Sequence, residues 1–156
     1  MATTGDTTKK TTTGKGRAST TWTDEERAAM QEHAREMKAA RSKKADGEAD
    51  VRAKIDELPE PDRSMADRIH AIIREAAPEL KPRTWYGMPA YANAAGKVIC
   101  FFTPASKFKE RYASFGFNAD AQLDEGTMWP TSWAITKLTP DAEARIRDLV
   151  RRSVGQ

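Results

Sequence analysis

The chain is poor in the residues from which most reactive sites are built. Its 156 residues include one cysteine, Cys100, and two histidines, His33 and His70. A single thiol cannot close an internal disulfide, which fits a reducing compartment and makes the cytoplasm the expected location. Two histidines far apart in sequence supply too few parts for a zinc site or a Ser-His-Asp arrangement. No Walker loop or Gly-x-Gly-x-x-Gly run is present either. Long apolar runs are also missing, the longest being Val98 to Phe102, far short of a membrane span. Lys9 and Lys10 are followed by no apolar stretch, so neither a secretory signal nor a membrane partner is expected.

The basic character of the chain is equally local. Lys9, Lys10, Lys15 and Arg17 against Asp6 account for the whole formal net charge of +3, leaving residues 18–156 neutral in sum. A specific nucleic-acid partner for the folded part is therefore not expected. Residues 1–21, rich in Thr, Lys and Gly, read as a disordered tail.

What is present reads as an α+β domain. Thr23-Asp24-Glu25-Glu26 forms a capping box, predicting an N-terminal helical extension over 22–46. Its apolar face, Ala29, Met30, Ala34, Met37 and Ala40, is thin and predicts weak packing or fraying, with Gly47 ending the helix. The domain proper, 47–156, opens with a helix from Glu48 to Leu58, stopped by Pro59. A third helix carries the stripe Met65, Ile69, Ile72, Ile73 and Ala76. Five short strands follow, near 83–86, 90–93, 97–103, 111–117 and 133–137, making a mostly antiparallel sheet with a turn at Ala95-Gly96. Leu123-Asp124-Glu125-Gly126 carries a helix-to-turn signal, and Thr139-Pro140 caps a closing helix.

Candidate sites divide by charge. Cys100, flanked by apolar residues, reads as core and not as a nucleophile. Met30, His33 and Met37 have the spacing of a soft copper site but equally that of an ordinary amphipathic stripe. His70 reads as a boundary residue of the third helix. Residues 46–62 sum to −5 and offer Asp46, Asp50, Asp56, Glu57, Glu60 and Asp62 as oxygen ligands for a hard cation such as iron. The same cluster also reads as a solvated helix face. Residues 81–117 sum to +5 and interleave aromatics with cations. There Trp85, Tyr86 and Tyr91 flank a Gly87-Met88-Pro89 bend, with Lys97, Lys107 and Arg111 as a basic rim and Trp133 nearby. That combination fits an anionic, partly apolar ligand, while core rings with rim charges is the other reading.

The run Trp85-Tyr86-Gly87-Met88-Pro89-Ala90-Tyr91 resembles the YdhG-like family of small bacterial domains, some described as frataxin-like iron chaperones. The Gly96 to Phe102 strand, the Lys107-Phe108 to Phe115-Gly116-Phe117 segment, the Leu58–Leu80 pattern and the closing helix carry the same likeness, over residues 48–154. The resemblance implies a compact α+β domain, no catalytic residue, and intracellular iron handling with transfer to a protein partner. Many such domains carry a histidine near the Lys107-Phe108 position, where this chain has none. Weakly bound iron would therefore fall to the acidic stretch, joined by Asp120, Asp124 and Glu125. Two readings follow: a non-enzymatic iron carrier, or a binding module for an anionic small molecule or peptide. No pair of groups has an evident reason for a functional pKa shift, so no enzyme is expected.

Overall fold

In the computed structural model, residues 22–40 and 47–156 are described. The expectation for the 1–21 tail, and the expected ligand Asp46, lie outside them. Four helices, α1 (Asp24–Ala40), α2 (Gly47–Asp56), α3 (Asp62–Ala76) and α4 (Pro140–Ser153), accompany a five-stranded antiparallel sheet. Its strands, β1 (Lys81–Trp85), β2 (Met88–Ala92), β3 (Val98–Thr103), β4 (Ala113–Phe117) and β5 (Ser132–Ile135), pair in chain order as a meander. The α+β class and the strand positions agree with the sequence reading. The stretch from Leu123 to Gly126 contains no helix. No helix among the described residues is long and apolar enough to cross a membrane.

One core fills the space between the sheet and three helices. α3 contributes Met65, Ile69, Ile72 and Ile73, α2 adds Val51 and Ile55, and α4 adds Ile146, Leu149 and Val150. The sheet answers with Tyr91, Cys100, Phe102, Phe115 and Phe117, which the antiparallel register places on one face. A bulge interrupts the register between Tyr91 and Ala92. Such an extra residue turns two successive side chains to one side, and both Ile99 and Cys100 join the core. Burial pushes the Cys100 thiol up, away from the reactive thiolate.

The bend expected at Gly87-Met88-Pro89 is placed differently. Tyr86 (φ 52°) and Gly87 (φ 74°) form a two-residue hairpin loop between paired Trp85 and Met88. Positive φ at both positions is the geometry that matches strand twist in tight hairpins. Met88 and Pro89 then belong to β2, every residue of which is buried.

Gly47 also has a different role from the helix stop expected of it. It is the first residue of α2, and a Cβ there would lie 2.0 Å from the Pro82 carbonyl oxygen. The missing side chain lets α2 lie directly against β1, the edge strand. Helical backbone thus covers an edge that would otherwise be open to pairing.

His70 is fully buried rather than a boundary residue. Its Nδ1 lies 2.8 Å from the Tyr91 hydroxyl and its Nε2 lies 2.7 Å from Glu48 Oε1. A neutral ring with its proton on Nε2 donates to the carboxylate and accepts from the phenol, which satisfies all three groups. Burial pulls the Glu48 carboxyl upward, but the His70 hydrogen bond, with Arg74 and Arg52, holds it below its ordinary 4.5. A carboxyl lowered on folding contributes stability that is complete above its unfolded pKa and lost as pH falls through the folded one. Thermal melts should therefore be flat from neutrality down to about pH 5 and then fall, with a shallower fall in Glu48→Gln. Equal acid slopes for the two proteins would contradict this.

Candidate basic site beneath the first helix

α1 docks on the domain, and not through its apolar face. The capping box forms as expected: Glu26 N–H donates to Thr23 Oγ1 and Thr23 N–H to Glu26 Oε2, both at 3.1 Å. Met30 and Met37, however, are about half exposed, at 49% and 46%. The face that packs is acidic. Glu25 pairs with Lys109 at 2.6 Å, Glu32 with Lys54 at 3.1 Å, and Glu36 Oε1 accepts from Gly87 N–H at 2.8 Å. The His33 ring stacks on Tyr86, with centroids 3.9 Å apart and planes 10° from parallel.

Under this helix the hairpin loop presents a polar, aromatic seat. Trp85 meets Tyr86 edge-on and leans on Phe101. Phe101 in turn occupies the space a side chain at Gly116 would need, with ring atoms 2.7–3.3 Å from that position. Lys107 Nζ lies beside Gly87, only 2.7 Å from where a Cβ would stand. Burial lowers the Lys107 ammonium, Glu32 and Glu36 oppose that, and Lys54 adds to it. Burial likewise works against the Lys54 ammonium, but Glu32 and then Glu57 raise it above its usual value.

Next to the seat, α1, α2 and β1 enclose a cleft of about 590 Å³. Arg35, Lys54, Lys81 and Arg83 line it against Glu36 and Asp50, with Gly47, Ala53 and Pro82 as smaller walls. Lys81 and Arg83 have no carboxylate within ion-pair distance among the described residues. Its cations converge from three elements that are distant in sequence.

The expected ligand residues scatter. Trp85, Tyr86 and Lys107 come together at the hairpin loop. Tyr91 is a core residue bonded to His70, so it cannot form the wall of a surface site. Met88 is buried beside Thr103, whose hydroxyl donates to its sulfur at 3.2 Å, and Pro89 is buried with it. Lys97 sits in the β2–β3 turn, at the far end of β2, about 17 Å away by strand rise. Arg111 lies over Tyr112 on the exposed surface, and Trp133 packs edge-on against Phe117. The +5 segment therefore does not form one rim.

The acidic set does not converge either. Asp50 faces the basic cleft, Asp56 is exposed, Glu57 binds Lys54, and Glu60 binds Arg63 and the Ser64 amide. Asp62 is buried and accepts from the Ala105 and Ser106 amides, fixing the 3-10 turn at Ala105–Lys107. Among the described residues no three His, Cys, Asp or Glu side chains are grouped to hold a metal ion.

Sequence reasoning missed Glu32, Arg35, Glu36, Lys54 and Gly47 as parts of a site, and weighed His33 only as a copper ligand beside Met30 and Met37. A signal for some of them existed. Glu25, Ala29, Glu32 and Glu36 recur at helical spacing, a polar stripe as regular as the apolar one. No family model, no curated protein and no solved structure matches the chain.

Proposed function

We propose that the protein is a non-catalytic binding module that holds a small anionic ligand in the cleft between α1, α2 and β1. The observation that carries this reading is the pair Lys81 and Arg83, two cations without carboxylate partners among the described residues, facing a concave space. A volume near 590 Å³ is in the range of small-molecule sites. Guanidinium and ammonium groups on separate elements favour a ligand with two or more carboxylates or phosphates, each taken by its own charge-assisted bonds. The Pro82 and Ala53 walls supply the apolar part. Iron carriage, which the resemblance implies, has less support, because the carboxylates proposed for it point to separate partners.

Titration with citrate and with pyrophosphate, followed by amide NMR, tests the reading. Saturable shifts should centre on Gly47, Ala53 and Thr84. The Lys81→Ala/Arg83→Ala chain should bind at least about tenfold more weakly, the scale of losing charge-assisted bonds. Shifts spread evenly over every basic surface, or unchanged in the double variant, would sink it.

A further inference from the structure

The two edges of the sheet are finished differently. β1 carries Lys81, Pro82 and Arg83 and lies against α2, and charge, proline and a covering helix each keep an edge from pairing. β5, at the other edge, reads Ser132-Trp133-Ala134-Ile135, with no charge, no proline and no bulge in its register with β4. That register fixes which of its backbone groups are open. Phe117 N–H donates to the Thr131 carbonyl at 2.7 Å, so Trp133 and Ile135, two and four residues on, also turn their backbone groups toward β4. The N–H and C=O of Ser132 and Ala134 therefore point outward, and no backbone group among the described residues meets them. A groove runs beside this open edge. Between β5 and α4 lies a cavity of about 310 Å³, where Ile146 and Leu149 face Phe115, Trp133 and Ile135. Lys137 and Arg145 also line it, against Asp141, and Arg111 lines the adjoining cleft that shares Ile135 and Thr136. None of these three cations has a carboxylate within ion-pair distance among the described residues.

We propose that β5 and α4 form a docking groove for an extended segment of another protein, which adds a sixth, antiparallel strand to the sheet. The open edge selects backbone, since the segment exchanges hydrogen bonds with Ser132 and Ala134. Its residues opposite Trp133 and Ile135 share their face and enter the groove, so they are apolar. Those opposite the exposed Ser132 and Ala134 face solvent and are polar. Arg111, Lys137 and Arg145, gathered where β5 ends, select a carboxylate at the adjoining end of the segment. A second copy of this chain fits the edge less well. Paired antiparallel, it brings Lys137 opposite residues 127–131, Thr-Met-Trp-Pro-Thr, which hold no carboxylate and place a proline in the new ladder. This inference goes beyond the small-anion cleft, which lies at the opposite edge of the sheet and shares no residue with the groove.

The test uses the full chain and the acetylated peptide Glu-Thr-Val-Thr-Val-Thr, labelled with fluorescein at its C-terminus. Its valines fall opposite Ile135 and Trp133 when its glutamate lies beside Lys137 and Arg145. Binding should saturate, and amide exchange at Ser132 and Ala134, fast in the free chain, should slow at least about tenfold. N-methylation of the middle threonine, whose N–H faces β5, should weaken binding at least about tenfold. N-methylation of the second valine, whose N–H faces away, should leave it unchanged. Ala134→Pro removes an outward donor and no ladder bond, so that chain should fold and bind at least about tenfold more weakly. If it does not fold, Arg145→Glu, a change at an exposed position, should give the same loss. Equal losses from the two N-methylated peptides would overturn the proposal, as would saturation that leaves Ser132 and Ala134 exchanging fast. So would a free chain that sediments as a dimer with those two amides already slow, which would give the edge to a second copy. A peptide that shows no saturable binding would overturn it as well.

Discussion

Replacing His70 with alanine is expected to be the most damaging single change in the chain, costing about 3–5 kcal/mol from the cavity and the unpaired groups together. The imidazole is fully buried and links two elements, bonding Tyr91 on β2 and Glu48 on α2. Its loss leaves the phenol without a partner in the core and the carboxylate without its main counterpart. Tyr91→Phe removes only one of those bonds and should cost about 1–3 kcal/mol, because the His70 ring nitrogen is then unsatisfied. Urea melts of the two variants separate the effects. A His70→Ala loss no larger than that of Tyr91→Phe would show that the Glu48 end contributes little.

The second large effect is expected at Gly47, from adding a single methyl group. Alanine there puts a Cβ 2.0 Å from the Pro82 carbonyl oxygen, a contact with backbone on both sides that no rotamer change relieves. α2 must move off β1, at a cost of about 1–3 kcal/mol typical of overpacking. The consequence is also qualitative, since the displaced helix uncovers the β1 edge, and exposed edges pair with other chains. Gly47→Ala should therefore melt earlier and aggregate on heating, whereas Gly96→Ala should not aggregate, because a side chain at Gly96 meets nothing within 4 Å. A soluble Gly47→Ala chain with an unchanged melt would refute the edge-covering role.

The comparison of these sites shows which kinds of information the sequence carries openly. Elements with a strong apolar period were legible: α3 and α4 were read closely from their stripes, and the strands from their β-branched and aromatic content. The capping box before α1 was legible because it is a local contract between Thr23 and Glu26. The docking face of α1 was not, because an acidic stripe reads as solvent-facing unless its cations are known to lie opposite. Those cations, Lys54, Lys107 and Lys109, come from α2 and from the segment after β3, and only the fold brings them together.

The aromatic run at 85–91 illustrates the same limit within seven residues. Its alternation is visible, but the bend expected from Gly87 begins one residue earlier, at Tyr86, and a one-residue slip exchanges inside for outside. With the loop at Tyr86-Gly87, Tyr91 falls on the core face while Trp85 falls beside Phe101. Half of an expected ligand wall is therefore core, and the half that remains is covered by a helix outside the resemblance. His70 was misread for a related reason. A histidine beside isoleucines looks like a boundary residue until the phenol and carboxylate that satisfy it are seen on other elements.

The lone Cys100 gives the molecule a built-in clock. It is fully buried in the centre of β3, between Tyr91 on one neighbouring strand and Phe117 on the other. A thiol-alkylating reagent reaches it only when the sheet parts from the helices, so each modification event records one opening of the whole core. Departure of α1 leaves that thiol covered and goes uncounted. The labelling rate thus times core opening alone on the unmodified chain, without introducing a probe.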